Sequence, residues 1–157
     1  MSQAPSNSKA MTGPLKGLPL PDIDNPDYIR GFWQGTQQGE LRIQQCTPCK
    51  KFRHMPTPMC PHCHSLDYDY TKVSGQGTIY SFMIPRHPVH PALREGDQMP
   101  YNIVLVELAE QENLRILSNV LHVTPEDIYI GMPVSVTFMP TEDDPSVVLP
   151  LFVPLAN

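Results

Sequence analysis

Two Cys-x-x-Cys pairs, Cys46-Thr-Pro-Cys49 and Cys60-Pro-His-Cys63, stand ten residues apart in this chain. Each pair lets two thiolates converge on one ion from a tight turn, and two such turns complete a tetrahedron of four sulfurs. A site closed in this way admits no substrate, so the ion is structural, and one zinc per chain is the expected occupant. Thiolates must lose their protons to ligate, so binding should release protons and weaken at low pH. Three histidines, His54, His62 and His64, sit inside or beside this segment. Four thiolates already fill a zinc site, so these rings are expected to be solvated or to support the ligands from behind.

The rest of the composition sets the frame. The chain has 157 residues, of which 17% are charged, 40% hydrophobic and 19 are proline. That length suits one main core. So much proline argues against long helices and for short strands joined by loops. The net charge is −5, and no basic cluster exceeds Lys50, Lys51 and Arg53, which argues against a nucleic-acid partner. Apolar runs such as Ile103-Val104-Leu105-Val106 are far short of the ~20 residues that span a bilayer. The opening MSQAPSNSKAMTGPLKG has no apolar h-region, so the expected compartment is the cytoplasm, where cysteines ligate metals before they form disulfides.

Along the chain, residues 1–20 are rich in Ser, Pro, Gly and Lys without periodicity and read as a flexible tail. Residues 21–45 read as a helix and a lead-in strand. Asn25 caps the helix and Pro26 starts it, and Tyr28 and Phe32, like Ile29 and Trp33, fall four apart. Such a helix either covers the core or turns its aromatic residues toward a partner. Leu41, Ile43 and Gln45 alternate with Arg42 and Gln44 in the strand that enters the ribbon at 46–66. Residues 74–155 then read as five strands: Gly77 to Ile84, Tyr101 to Leu108, Leu114 to Leu121, one following Gly131, and Val147 to Val153. Thr124-Pro125-Glu126-Asp127 reads as a single turn between the third and fourth. Five short strands with a break at that point predict a mainly β chain ending in an OB-type barrel, a partly open five-stranded roll.

With these blocks in place, residues 20–155 resemble the family of small proteins that join a rubredoxin-like zinc ribbon to an acyl-CoA-associated OB fold. The resemblance rests on Phe32-Trp33-Gln34-Gly35, Gly39-Glu40-Leu41, the two cysteine turns, Ser74-Gly75-Gln76-Gly77-Thr78-Ile79-Tyr80-Ser81, Pro100-Tyr101, Ile130-Gly131-Met132-Pro133-Val134 and Leu149-Pro150-Leu151-Phe152. It implies a non-catalytic companion in a hetero-oligomer with a thiolase-like catalytic subunit, which is a β-ketothiolase, a phloroglucinol-type acyltransferase or a steroid side-chain aldolase. It also implies that the companion helps to hold the coenzyme A part of an acyl-CoA substrate. Lys50 and His64 stand where the family commonly has glycine, and a left-handed backbone there would cost each roughly 1–2 kcal/mol. Thr57 stands where an arginine is common.

Catalysis by this chain alone would need a nucleophile with its base. All four cysteines are committed to metal, no Gly-x-Ser-x-Gly elbow is present, and His122 stands alone beside Leu121 and Val123. Gly75-x-Gly77 suits a strand bulge. The proline-braced loop from Pro85 to Arg94 carries Arg86, His87, His90 and Arg94, and coenzyme A presents phosphates that suit arginine forks. Arg86, His87 and Arg94 are therefore the candidate contacts to ligand or partner. Tyr80, Phe82 and Tyr101 form either a stacking surface or part of the core. Two other functions stay open on sequence: a module for single-stranded nucleic acid, since ribbons and OB folds both serve there, and a rubredoxin-like electron carrier, since S4 geometry also holds iron.

Overall fold

The computed structural model describes residues 9–24, 26–95 and 98–155. Asn25, the expected helix cap, lies outside them. A 3-10 turn at Asp27–Ile29 leads into α1 (Arg30–Gln37). Three strands form the ribbon sheet, with β1 (Arg42–Cys46) between β2 (Phe52–Arg53) and β3 (Tyr68–Lys72), both antiparallel to it. Five more follow: β4 (Gln76–Met83), β5 (Ile103–Leu108), β6 (Arg115–Ser118), β7 (Pro133–Pro140) and β8 (Val148–Pro154). They run in the order β6-β5-β4-β7-β8, antiparallel throughout.

This second sheet curls until its two edge strands meet. A parallel bridge joins Val120 to Phe152. Phe152 N–H donates to Asn119 O at 2.9 Å and Leu121 N–H to Phe152 O at 2.8 Å. The result is the five-stranded OB barrel expected from sequence, with a 3-10 turn at Pro125–Asp127 in the predicted break. Asn102 reinforces the closure from across β5. Its buried amide donates to Val120 O and accepts from Val120 N–H, both at 2.8 Å, so a side chain stands in for a strand partner. Ser118 Oγ adds a bond to Pro150 O at 2.7 Å. Because Phe152 aims its amide at this seam, alternation directs positions 150 and 154 the same way, and both are proline.

One core serves the whole assembly. Phe32 of α1, Leu41 and Ile43 of the ribbon, and Ile79, Val104, Val106, Ile116, Val134 and Phe152 of the barrel belong to a single buried cluster. The helix therefore covers the core through Phe32. It lies close on β3, because Gly31 leaves room for the Tyr70 ring and the Tyr70 hydroxyl donates to Tyr28 O. In β4 the register shifts between Ile79 and Ser81. This bulge puts Ile79 inside, Tyr80 and Ser81 outside, and Phe82 half inside, so Tyr80 and Phe82 do not share one face. The bulge sits at Tyr80, not at the expected Gly75-x-Gly77. Gly75 serves a left-handed φ of 73° instead, and a side chain there would overlap Val136.

Residues 9–20, assigned to the tail on composition, run along the barrel. Met11 O accepts from His122 N–H at 2.8 Å, Lys16 N–H donates to Gln98 Oε1, and the Lys16 ammonium meets Glu142 at 2.8 Å. Ribbon and barrel are clasped by Gln111 in the β5–β6 turn: its amide accepts from Phe52 N–H at 2.9 Å and donates to Phe52 O at 3.1 Å. No helix among the described residues is long and apolar enough to cross a membrane.

Candidate metal centre

The two cysteine turns repeat one hydrogen-bond pattern. Lys50 N–H donates to Cys46 O and His64 N–H to Cys60 O, both at 2.9 Å. Cys46 N–H donates to Lys51 O at 3.0 Å and Cys60 N–H to Ser65 O at 2.9 Å. Each turn closes only if the residue after its second cysteine enters the left-handed region, and Lys50 and His64 both sit at φ 59°. The turns face each other and bring the four sulfurs within 4.8 Å of one another. Cys46 Sγ lies 3.5 Å from Cys63 Sγ, and Cys49 Sγ lies 3.6 Å from Cys60 Sγ. None is a disulfide. Four sulfurs placed ~2.3 Å from a central zinc would stand about 3.8 Å apart, so the cluster fits a tetrahedral ion with little adjustment.

Electrostatics favour the same occupant. N–H groups of Cys63 and, after burial has acted against them, His62 point at Cys60 and lower its pKa to about 6. At Cys63 the Ser65 N–H favours the thiolate, but contacts with Cys46, Cys49 and Cys60, together with burial, push the pKa up to about 12. Crowded sulfurs cannot all ionise against each other, and a divalent cation removes that conflict. Cys46 and Cys60 are buried while Cys63 is exposed, so the ion would sit near the surface without an open coordination position.

The support beneath the metal turns was not visible in the sequence. Gln44, on the expected polar side of β1, is fully buried, and its Oε1 accepts from Arg53 Nε at 2.7 Å and Thr57 N–H at 2.9 Å. Arg53 is also buried; it donates to Thr57 O at 3.2 Å and lies 5.6 Å over the Tyr68 ring. These contacts brace the segment that leads to Cys60. His62 and His64 are exposed as expected. His54 is not: its ring packs 5.1 Å from Phe32, and burial drops its pKa to about 4, so it is neutral at pH 7. The pattern around Arg53 offered one signal, a basic residue within the ribbon with no acid nearby in sequence.

Of the loop candidates, Arg86 stands 3.8 Å from Glu126, His87 is exposed, and Arg94 ends the 3-10 turn Pro91–Arg94. Arg94 lines a shallow cavity with Pro88, Leu93 and Met99 that neither Arg86 nor His87 enters. Tyr101 is buried, whereas Tyr80 is exposed with the Arg115 guanidinium 3.4 Å over its ring. Two other concavities meet at His54. One is an apolar groove of about 280 Å³ lined by Ile29, Trp33, Met55, Leu117 and Leu149. The other is a polar cleft of about 510 Å³ between the ribbon and the β5–β6 turn.

The strained turns give a direct stability test. Lys50→Gly and His64→Gly should each stabilise the metal-loaded chain by about 1 kcal/mol, since relief of left-handed strain exceeds the entropy that glycine adds to the unfolded state. A thermal melt should rise by roughly 2–4 °C for each.

Known proteins share this construction. Residues 33–69 match the family model described as the ChsH2 rubredoxin-like zinc ribbon domain, and residues 70–139 match the ChsH2 C-terminal OB-fold domain. A probable enoyl-CoA hydratase alpha subunit of Thermomonospora curvata is 41% identical over 87% of this chain, and the 3-oxo-4,17-pregnadiene-20-carboxyl-CoA hydratase alpha subunit of Mycobacterium tuberculosis is 36% identical over 71%. The chain spans only 40% and 34% of those two proteins. A DUF35 domain-containing scaffold protein of Methanocaldococcus jannaschii is 31% identical, over 64% of this chain and 68% of its own length. Among solved structures, a chain of the Ltp2-ChsH2(DUF35) aldolase superposes with a TM-score of 0.73 at 38% identity, covering 86% of this chain and 98% of that one. Matched ribbon, matched barrel and a superposition over 86% of its length agree: this chain belongs to the ChsH2/DUF35 family of proteins built from a rubredoxin-like zinc ribbon and an OB fold.

Proposed function

We propose that this chain is a non-catalytic accessory subunit of a thiolase-like complex that makes or breaks a C–C bond beside a coenzyme A thioester. It docks on the catalytic subunit and helps to hold the coenzyme A part of the substrate. The observation that carries this reading is the 38% identity to 98% of the chain from the Ltp2-ChsH2(DUF35) aldolase. Chemistry supports it from within the chain. Claisen-type cleavage needs a thiolate or base beside the substrate, and every cysteine here lies in the four-sulfur cluster. Cations on the loop carrying Arg86, His87 and Arg94 face outward, where a partner or ligand can meet them.

Trp33 supplies the anchor for docking. It is half-buried against Phe32 and lines the apolar groove beside exposed Met55 and Leu117. Aromatic residues and methionine are enriched at such interfaces. The test is reconstitution: this chain, its thiolase-like partner and both together, assayed for acyl-CoA turnover and co-elution. Turnover is expected only with both. Trp33→Ala should weaken assembly roughly 30-fold, as loss of a ~2 kcal/mol aromatic anchor does. Full activity of the partner alone without co-elution would refute the proposal, and so would turnover by this chain alone.

A further inference from the structure

The polar cleft between ribbon and barrel gathers nitrogen-bearing side chains in a chain of net charge −5. One wall carries the cations Lys51 and Arg53 with the His62 ring and the neutral His54 ring; the facing wall is the β5–β6 turn with Gln111 and Asn113. Arg53 is 8% exposed, and among the described residues it has no carboxylate partner. Its Nη1 is buried without a hydrogen-bond partner, and so is His54 Nδ1. A buried guanidinium with an unused donor is costly unless an anion compensates it. Lys51 and His62 are exposed at the rim, and the cleft's acid, Glu112, is exposed as well. The volume of about 510 Å³ lies within the ~300–1,000 Å³ range of small-molecule sites and far exceeds what a lone ion needs.

We propose that this cleft binds the phosphate groups of a nucleotide-sized ligand, with Lys51 and His62 meeting the phosphates at the rim and Arg53 supplying fixed positive charge behind them. Lysine acts here as a mobile point charge, and arginine as a donor whose orientation Gln44 and Thr57 already fix. A phosphate suits this set better than a neutral ligand, because its charged oxygens accept from ammonium and N–H donors together. The identification of that nucleotide with the adenosine end of coenzyme A rests on the accessory-subunit reading; the cleft itself does not. It also locates the phosphates away from Arg86, His87 and Arg94.

The experiment is amide and side-chain NMR of the full metal-loaded chain titrated with ADP, with coenzyme A and with adenosine. ADP and coenzyme A are expected to shift the resonances of residues 51–54, His62 and Asn113, and adenosine is expected to shift them far less. Lys51→Glu, an exposed side chain outside the core, should weaken ADP binding at least about tenfold while leaving the melting transition in place. His62→Gln should weaken it by a smaller factor. Perturbations confined to residues 86–94 would overturn the assignment. So would equal binding of adenosine and ADP, or unchanged affinity in Lys51→Glu. If ADP binds in the cleft but no catalytic partner co-elutes, the accessory-subunit reading fails while the cleft stands. If assembly succeeds and ADP leaves the cleft unmoved, the reverse holds.

Discussion

Chelation of the metal, or Cys60→Ser, is expected to unfold the ribbon and abolish the cooperative melt of the chain. Structural zinc contributes an apparent ~10–16 kcal/mol in small zinc-finger peptides at neutral pH. Net stability of a whole domain is only about 5–15 kcal/mol. Four sulfurs within 4.8 Å of one another leave no favourable arrangement for several thiolates once the cation is gone. The damage would not stop at the ribbon, because Leu41 and Ile43 share one core with Ile79 and Phe152 of the barrel. Elemental analysis should find one zinc per chain, and circular dichroism with and without chelator should show the collapse. Acid should promote the same release, since ligating thiolates must be reprotonated as the metal leaves. Colourless protein with stoichiometric zinc would also set aside the electron-carrier alternative, whereas a coloured, redox-active iron centre would support it. Metal-free protein in which Cys60→Ser melts like the parent would refute the closed-site reading.

Asn102→Ala is the second large effect expected, about 3 kcal/mol of destabilisation. The Asn102 amide makes two 2.8 Å bonds to Val120, and all four atoms are buried at the point where the barrel closes. Truncation removes both bonds and leaves the Val120 N–H and C=O without their partner, at roughly 1–3 kcal/mol for each group left unsatisfied. Val120 also bridges to Phe152, so the loss falls on the closure itself. Urea denaturation should show a lower midpoint with an unchanged slope if the fold survives. Asn102→Asp should be at least as harmful, because it places an ionisable group at a fully enclosed site and cannot donate to Val120 O when charged.

Much of this architecture could be read from spacing alone. The metal cluster follows from two Cys-x-x-Cys turns, and all five barrel strands can be read from the chain as short segments between turn signals. The strain at Lys50 and His64 was legible only through the family resemblance, since each stands where that family commonly has glycine, and both sit at φ 59°. What spacing could not show depends on contacts between distant segments. Gln44 looks like a solvent-facing member of an alternating strand, yet it is buried because Arg53, its register partner on β2, and the Thr57 backbone close over it. Asn102 is a polar residue before an apolar run, and only the returning chain at Val120 gives it partners. Tyr80 left the core because a bulge reset the alternation, a shift of register that no local pattern marked. His54 became a packed ring because α1 laid Phe32 against it. Composition likewise marked residues 9–20 as unattached, although their backbone finds partners on the barrel.

The prolines at 150 and 154 bear on how this chain meets other chains. A barrel closed at one bridge leaves strand edges beside the seam, and an edge with free amides can recruit a strand from any neighbouring molecule. On β8 the amides that would point outward at these positions do not exist. Facing it, β6 is only four residues long. Neither rim can template an extended stack of copies, so a chain with exposed Met55 and Leu117 can carry a sticky surface without offering a ladder for fibril growth. Recognition at this seam therefore falls to side chains, and side chains discriminate between partners where a bare backbone edge would accept nearly any strand.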